Sequence, residues 1–536
     1  MNAIPPRNTP NRPTHLSGIR TLAANVAVPL LFGLGTAATA LAAPPSADRY
    51  IIKFQPGLAA QARAAVAAAR GNVVLEMPDH DAVAVELPAA ALAGIERNPN
   101  VEYIEPDVLR FPMALASPST GTPYALGQLV PFGIPMIQAD QLAAADAGSR
   151  KVCIIDSGYD LGHPDLASSL DVTGEFDSGT GWWYTDENHH GTHVAGTISA
   201  INNGLGVVGV VSNQKLKLHI VKVFDAAGWA YSSTLTNAVT KCVNAGANVI
   251  SMSLGGSFSS RTEKSAFDKY YAAPYQVLSI AAAGNGGNNR VSYPAGYGSV
   301  VSVAAVDENR AWATFSQYNK DVEIAAPGVG VLSTVPRGAG RDSSLSVGGT
   351  AYASSPMDGS PVGSANSAAL VDCGLGTATC AGANGKVCLI QRGTNTFGEK
   401  VLACQNGGGV GAVIYNNTAG MLFGTLGTTV TAIPSVGTSD TDGAALKLMI
   451  GAVTDLAVVA SDHAYFDGTS MATPHVSAAA ALVWSKNTAC TAAQVRAALT
   501  GTALDLGTAG RDNKFGFGLL QAKNAYDALK TTATCN

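Results

Sequence analysis

Three short blocks of the chain place a carboxylate, an imidazole and a hydroxyl where one type of secondary structure gives way to another. Cys153-Ile154-Ile155-Asp156-Ser157-Gly158 reads as a buried strand that ends in Asp156 and turns at once. In His189-His190-Gly191-Thr192-His193 an imidazole precedes a glycine that opens a helix, and in Gly468-Thr469-Ser470-Met471-Ala472 a serine stands at the mouth of an Ala-rich helix. Singly these are ordinary: an Asp after a strand is usually a turn residue, and a Ser before a helix is usually an N-cap. Together they are the acid, base and hydroxyl that nucleophilic catalysis needs. A zinc site at His189 and His193 fails, because no Glu follows the first His as an HExxH site requires. Phosphate binding fails too, since no glycine run lies between a strand and a helix with a following Lys and Ser or Thr.

The elements that must position these groups follow from periodicity. From about residue 128, apolar strands at 151–155, 218–223, 249–252 and 277–282 alternate with helices at 193–200 and 235–245, which predicts a parallel sheet covered on both faces. In such sheets the working residues gather beyond the carboxyl ends of the strands. The rhythm stops near Arg337 and resumes at Tyr465 with a long apolar helix at 470–484, so residues 338–462, with four cysteines and Gly407-Gly408-Gly409, read as an inserted domain. Upstream, strands at 49–54, 73–75, 82–87 and 101–105 with helices at 59–70 and 89–97 predict a small α+β unit. The Pro-, Ser- and Thr-rich stretch 111–123 is expected to lack regular structure and to serve as a processing linker.

Composition bounds the function. Charged residues are 13% of the 536, about half the usual ~25%, and hydrophobic ones 47%, which excludes a highly charged disordered chain. The balance of 33 basic against 38 acidic residues, net charge −5, offers no electrostatic footprint for nucleic acid or an anionic membrane. Arg7, Arg12 and Arg20 precede an apolar stretch at 26–34 and Ala40-Leu41-Ala42, the pattern of an export signal removed near Ala42 and too short to span a bilayer. In an exported chain the eight cysteines are expected to be disulfides. Eight allow 105 pairings. Short separations favour Cys373 with Cys380 and Cys388 with Cys404, leaving Cys490 with Cys535 and, by elimination, Cys153 with Cys242.

In order and in blocks the chain resembles the subtilase family of serine peptidases: VCIIDSG, HPDL, HGTHVAG, VISMSLGG, AAGN, YPA, AAPG and GTSMATPHVSAA cover most of it outside the insertion. The resemblance implies an α/β fold, a subtilisin-like three-layer αβα arrangement around a mostly parallel sheet. It implies Ser470 as nucleophile, His190 as general base and later acid, and Asp156 as the group that orients and charge-stabilises the imidazole. Asn285 would donate to the oxyanion beside the Ser470 amide. Substrate would lie extended along Ser253-Leu254-Gly255, with Ala283, Gly284 and Ser292 around the first specificity pocket. No acidic residue stands there, so a large apolar or aromatic side chain is expected before the scissile bond. A structural Ca2+ would take the side chains of Gln128, Asp165 and Asn203 and the backbone carbonyls of Ile201, Leu205 and Val207.

Residues 43–110 resemble the subtilase propeptide, through Tyr50-Ile51-Ile52-Lys53-Phe54 and Val101-Glu102-Tyr103-Ile104-Glu105-Pro106-Asp107. The insertion resembles the mainly β protease-associated (PA) domain, through 385–393, 404–409, 412–417 and 433–436. The expected organisation is a signal peptide at 1–42, a propeptide at 43–115, a peptidase domain at 116–337 and 463–536, and the PA-like insertion at 338–462. The function so implied is a secreted, monomeric serine endopeptidase made as a zymogen, whose partners are polypeptide substrates and its own propeptide, with neither nucleic acid nor membrane. Two rivals stand against it. An idle fold kept as a binding module would not need all four chemical positions filled, and an esterase would show a Gly-x-Ser-x-Gly elbow, absent around Ser470.

Overall fold

The computed structural model describes residues 49–114, 128–532 and 535; the expected signal peptide and most of the linker lie outside them. The peptidase is built on a seven-stranded sheet. Its order runs Ile324–Pro327, Val300–Val306, Leu278–Ala282, Val249–Met252, Lys151–Asp156, Lys217–Lys222, Val172–Gly174, and every neighbouring pair is parallel. The strand Val300–Val306 is buried at all seven positions, as a strand covered on both faces must be, and its sequence is accordingly an apolar run without alternation. One core joins the sheet to the helices His190–Ser199 and Thr469–Lys486, and a second joins its other face to Ser232–Asn244 and Arg261–Tyr271. The three layers expected are therefore present.

The N-terminal unit is a four-stranded antiparallel sheet in the order Asn72–Met77, Ala82–Glu86, Arg49–Phe54, Val101–Pro106. The strands Arg49–Phe54 and Ala82–Glu86 alternate their side chains between its two faces, while Asn72–Met77 carries a register shift between Val73 and Leu75. Ile52, Phe54, Val83 and Val85 pack with the unit's own helices Ala59–Ala68 and Ala89–Glu96, whereas Ile51, Met77, Ala82 and Ala84 form a cluster on the other face. Residues 111–113 depart from the expected irregular linker. Leu109–Pro112 is a strand held between Ala230–Tyr231 and Leu254–Gly255 of the peptidase, so neighbours, not composition, decide its conformation.

The insertion leaves through Val331–Thr334 and returns through His463–Phe466, which pair antiparallel. Between them lies an eight-stranded sheet with two apolar clusters of its own and the helices Phe397–Asn406 and Asp440–Lys447. All four expected disulfides are formed, the two short-range pairs Cys373–Cys380 and Cys388–Cys404 and the two reached by elimination, Cys490–Cys535 and Cys153–Cys242. Among the described residues no helix is long and apolar enough to cross a membrane.

Candidate active site

Asp156 closes the strand Lys151–Asp156, and His190 begins the helix His190–Ser199; the Nδ1 of His190 lies 2.7 Å from Asp156 Oδ1. Two residues missed in the sequence hold these elements in register. Asp186 Oδ2 accepts from the Thr192 amide at 2.8 Å, capping the first turn of the helix, while its Oδ1 accepts from Ser157 Oγ at 2.7 Å. Ser157 Oγ in turn accepts from the Gly191 amide at 2.8 Å. The signal was an Asp one helical turn before the helix start, which favours capping contacts of this kind. His190 Nε2 is buried and makes no hydrogen bond, an open acceptor for a proton. His193 is not part of this chemistry: it stacks on Phe466 at 4.3 Å, and burial lowers its pKa to about 3, keeping it neutral. His189 is exposed in a left-handed conformation.

Ser470 sits in the first turn of Thr469–Lys486, and Pro474 explains its setting. Proline has no N–H to give the carbonyl four residues back. The freed Ser470 carbonyl accepts from Ser253 Oγ at 2.7 Å, and Ser470 Oγ donates to the Ser253 carbonyl at 2.9 Å. In this rotamer the hydroxyl therefore addresses Ser253 rather than His190.

The strand Leu109–Pro112 ends directly over these groups. Pro112 lies opposite Leu254 and Phe111 opposite Gly255, and the Met113 amide donates to the Ser253 carbonyl at 3.0 Å. The Met113 carbonyl oxygen accepts from two donors, the Ser470 amide at 3.2 Å and Asn285 Nδ2. Asn285 is turned the right way because its Oδ1 accepts from the Thr469 amide at 2.9 Å and from Thr469 Oγ1 at 2.8 Å. The Met113 methyl and Ser292 Oγ crowd Gly255, where an added Cβ would lie 2.9 and 2.3 Å from them, so a larger residue there would displace both side chains. Ala283 and Leu254 are buried beside this segment, and the Gly284 amide donates to Thr469 Oγ1 at 3.2 Å. The opposite rail of the cleft, Ala230–Tyr231, was not foreseen, because a two-residue strand has no periodicity to read.

Beyond Ala114 a cavity of about 620 Å³ opens between His190 and the insertion, lined by Arg341, Asp342 and Met357 on the insertion's side. The insertion is thus a wall of the cleft.

The six expected calcium ligands also meet. Gln128 Nε2 lies 2.7, 2.9 and 3.3 Å from the carbonyls of Ile201, Leu205 and Val207 and 3.5 Å from Asn203 Oδ1. These four oxygens converge as a hard cation requires, and a glutamine amide turned by half a rotation would add its own oxygen. Asp165 Oδ2 accepts from the Val207 amide at 2.7 Å and contacts His463 Nε2 at 2.9 Å, while its Oδ1 is buried without a hydrogen bond. Four converging oxygens, with an orphaned carboxylate oxygen on the Asp165 that bonds the same loop at Val207, fit Ca2+.

Comparison with known proteins bears on these observations. Residues 148–368 and 452–518 match the Subtilase family, 358–446 the PA domain, and 42–107 the fervidolysin N-terminal prodomain. The chain is 40% identical to subtilisin DY of Bacillus licheniformis over 241 residues, 43% of this chain and 83% of that one. It is 34% identical to subtilisin E of Bacillus subtilis (strain 168) over 303 residues, 54% of this chain and 74% of that one. Among solved structures it resembles the psychrophilic subtilisin-like protease of the Antarctic psychrotroph Pseudoalteromonas sp. AS-11, with TM-score 0.62 and 45% identity over 76% of this chain and 99% of that one. Fervidolysin of Fervidobacterium pennivorans shares the fold, with TM-score 0.57 and 22% identity over 90% of this chain and 61% of that one.

Proposed function

Because the chain belongs to the subtilase family, serine peptidases that hydrolyse peptide bonds, here with a prodomain and a PA domain, we propose that Ser470, His190, Asp156 and Asn285 are its catalytic residues and Met113–Ala114 the first bond it cuts. One observation carries this reading: the Met113 carbonyl oxygen rests between Asn285 Nδ2 and the Ser470 amide, where an oxyanion would be stabilised. Ser470 Oγ, turned from Ser253, gives its proton to His190 Nε2 and attacks the Met113 carbonyl carbon. Asp156 keeps the Nδ1 proton in place and stabilises the imidazolium. As the tetrahedral intermediate collapses, His190 Nε2 gives the proton to the Ala114 nitrogen, which leaves as the free amine of the mature chain while Met113 stays bonded to Ser470 Oγ as the acyl-enzyme. Water then releases Met113 from Ser470 by the same steps.

The leader of residues 43–113 would remain as inhibitor until it dissociates, and the mature enzyme would begin at Ala114 and keep Gln128. Met113 in its pocket supports a preference for large apolar residues before the scissile bond. The N-terminal arginine and apolar pattern, with eight cysteines in four disulfides, supports export. Ca2+ held by Gln128, Asp165, Asn203 and the carbonyls of Ile201, Leu205 and Val207 would brace the loop 201–207. The test is to express the precursor beside its Ser470→Ala variant and follow chain mass. The parent is expected to shed its leader and yield a chain starting at Ala114, while the variant stays whole. A mature N-terminus elsewhere, or equal processing of both chains, would defeat the reading.

A further inference from the structure

Four residues before the Met113–Ala114 bond stands Arg110, and its side chain is fully buried in the peptidase, whereas its neighbour Phe111 is 39% exposed. Burying a guanidinium is costly unless a carboxylate meets it with good geometry. Glu263, also fully buried, does so: Arg110 Nε donates to its Oε1 at 3.0 Å and Nη2 to its Oε2. Such a two-point fork is specific to arginine, since a lysine offers a single point charge.

The pocket is built for that carboxylate. Glu263 is the third residue of the helix Arg261–Tyr271, whose N-cap is Ser260, a spacing that normally sends the Glu side chain back to cap its own helix. Here Glu105 of the leader takes the amides of Arg261 and Thr262, at 2.7 and 2.9 Å. Glu263 instead faces the cleft, where the Tyr297 hydroxyl donates to its Oε2 at 2.7 Å. Gly256 opens the entrance: a Cβ there would stand 2.3 Å from the Leu109 carbonyl and 3.0 Å from Arg110 Nη1. Once the leader leaves, Glu263 has lost its guanidinium and the next polypeptide in the cleft can supply one.

We propose that Glu263 is a specificity-determining residue that makes the mature enzyme select arginine at the fourth position before the scissile bond. This rests on the reading of Met113–Ala114 as the cleaved bond. Substrates would then be polypeptides carrying a basic residue three places ahead of a large apolar one.

The test uses the mature enzyme with quenched peptides that copy the leader's end, Xaa-Phe-Pro-Met-Ala, with Xaa as Arg, Lys or Leu. Charge-assisted pairing of this kind predicts kcat/KM about 10- to 100-fold higher for Arg than for Leu, with Lys between them. In Glu263→Gln the Arg-to-Leu ratio should fall toward one. Equal cleavage of the Arg and Leu peptides at Met–Ala by the parent enzyme would overturn the proposal while leaving the cleavage reading intact. Failure to cut Met–Ala in any peptide would overturn both. Should Glu263→Gln not fold, the parent enzyme decides alone, together with the Arg110→Leu precursor, whose self-cleavage should slow by a similar factor; an unchanged rate counts against the proposal.

Discussion

The leader and the inserted domain both reach the cleft, yet they hold to the peptidase by opposite means. The leader grips with charged side chains. Asp107 accepts from the Ser233 amide at 2.9 Å and from Ser233 Oγ at 2.6 Å, at the start of Ser232–Asn244. Glu105 does the same for Arg261–Tyr271, so two peptidase helices present their positive ends to two leader carboxylates. The insertion holds by chain continuity at both ends: the peptidase strands at its root pair with each other, and Phe466 at that root stacks on His193. It also carries two disulfides and two apolar clusters of its own. Contacts that water can replace one at a time suit a part that must leave. Covalent continuity at both ends suits a part that must stay.

The comparison can be broken most sharply where the leader's end is clamped. Asn285→Ala should slow self-processing and turnover by about 10²- to 10³-fold, the scale known for loss of an oxyanion donor in a subtilisin. Rates of leader release and of casein digestion should fall together. Replacing Glu105 and Asp107 by Ala should weaken inhibition by the cleaved leader by about 10- to 100-fold, from caps of ~0.5–2 kcal/mol each. Titration of the mature enzyme with leader would read this, and unchanged inhibition would show that the caps do not hold it.

Acid is expected to loosen the same interface gradually. His80 of the leader lies 2.8 Å from Thr240 and edge-on to Tyr270; burial, then the Lys269 cation and more weakly that of Lys53, lower its pKa to about 4 against the opposing pull of Asp79 and Asp81. The neutral ring is favoured in the complex, so its contribution is complete above the free value of 6.5 and is lost as pH falls toward 4. Within that window affinity for the leader should drop by up to about tenfold per pH unit from this group. His80→Gln should flatten the dependence when release from the processed complex is followed by gel filtration.

The smallest change tests the part that stays. If the loop holds calcium as proposed, chelation should lower Tm by about 5–10 °C, because a metal bound only by the folded loop stabilises the folded chain. Asp165 also contacts His463 at the root of the insertion, so the loss should extend to that ribbon and be seen as faster hydrogen exchange in 463–466. An identical melt with calcium and with chelator would remove the metal from the account.

Much of this was legible in the residues because the blocks around Asp156, His190, Asn285 and Ser470 are local: each is a few residues at the end of a strand or the mouth of a helix. The alternation of Ile51 and Ile52 likewise announces a strand with two buried faces. Residues 111–113 were illegible for the opposite reason. They have no strand pattern of their own, and their backbone donors and acceptors find partners only on Ser253, Gly255 and the Ala230–Tyr231 edge, more than a hundred residues away. Glu263 was hidden differently, since its spacing from Ser260 has a sufficient local explanation that the fold does not use.

By itself the sequence determined the chemistry available, the layered α/β scaffold and the close pairs Cys373–Cys380 and Cys388–Cys404, since each depends on residue type and short-range spacing. Only the tertiary structure decided which peptide bond lies over Ser470, which carboxylate meets the side chain four places before that bond, and that the insertion walls the far side. Those are matters of which distant segments share a hydrogen bond or a buried charge, and that is settled by the packing of the whole chain, not by any stretch of it.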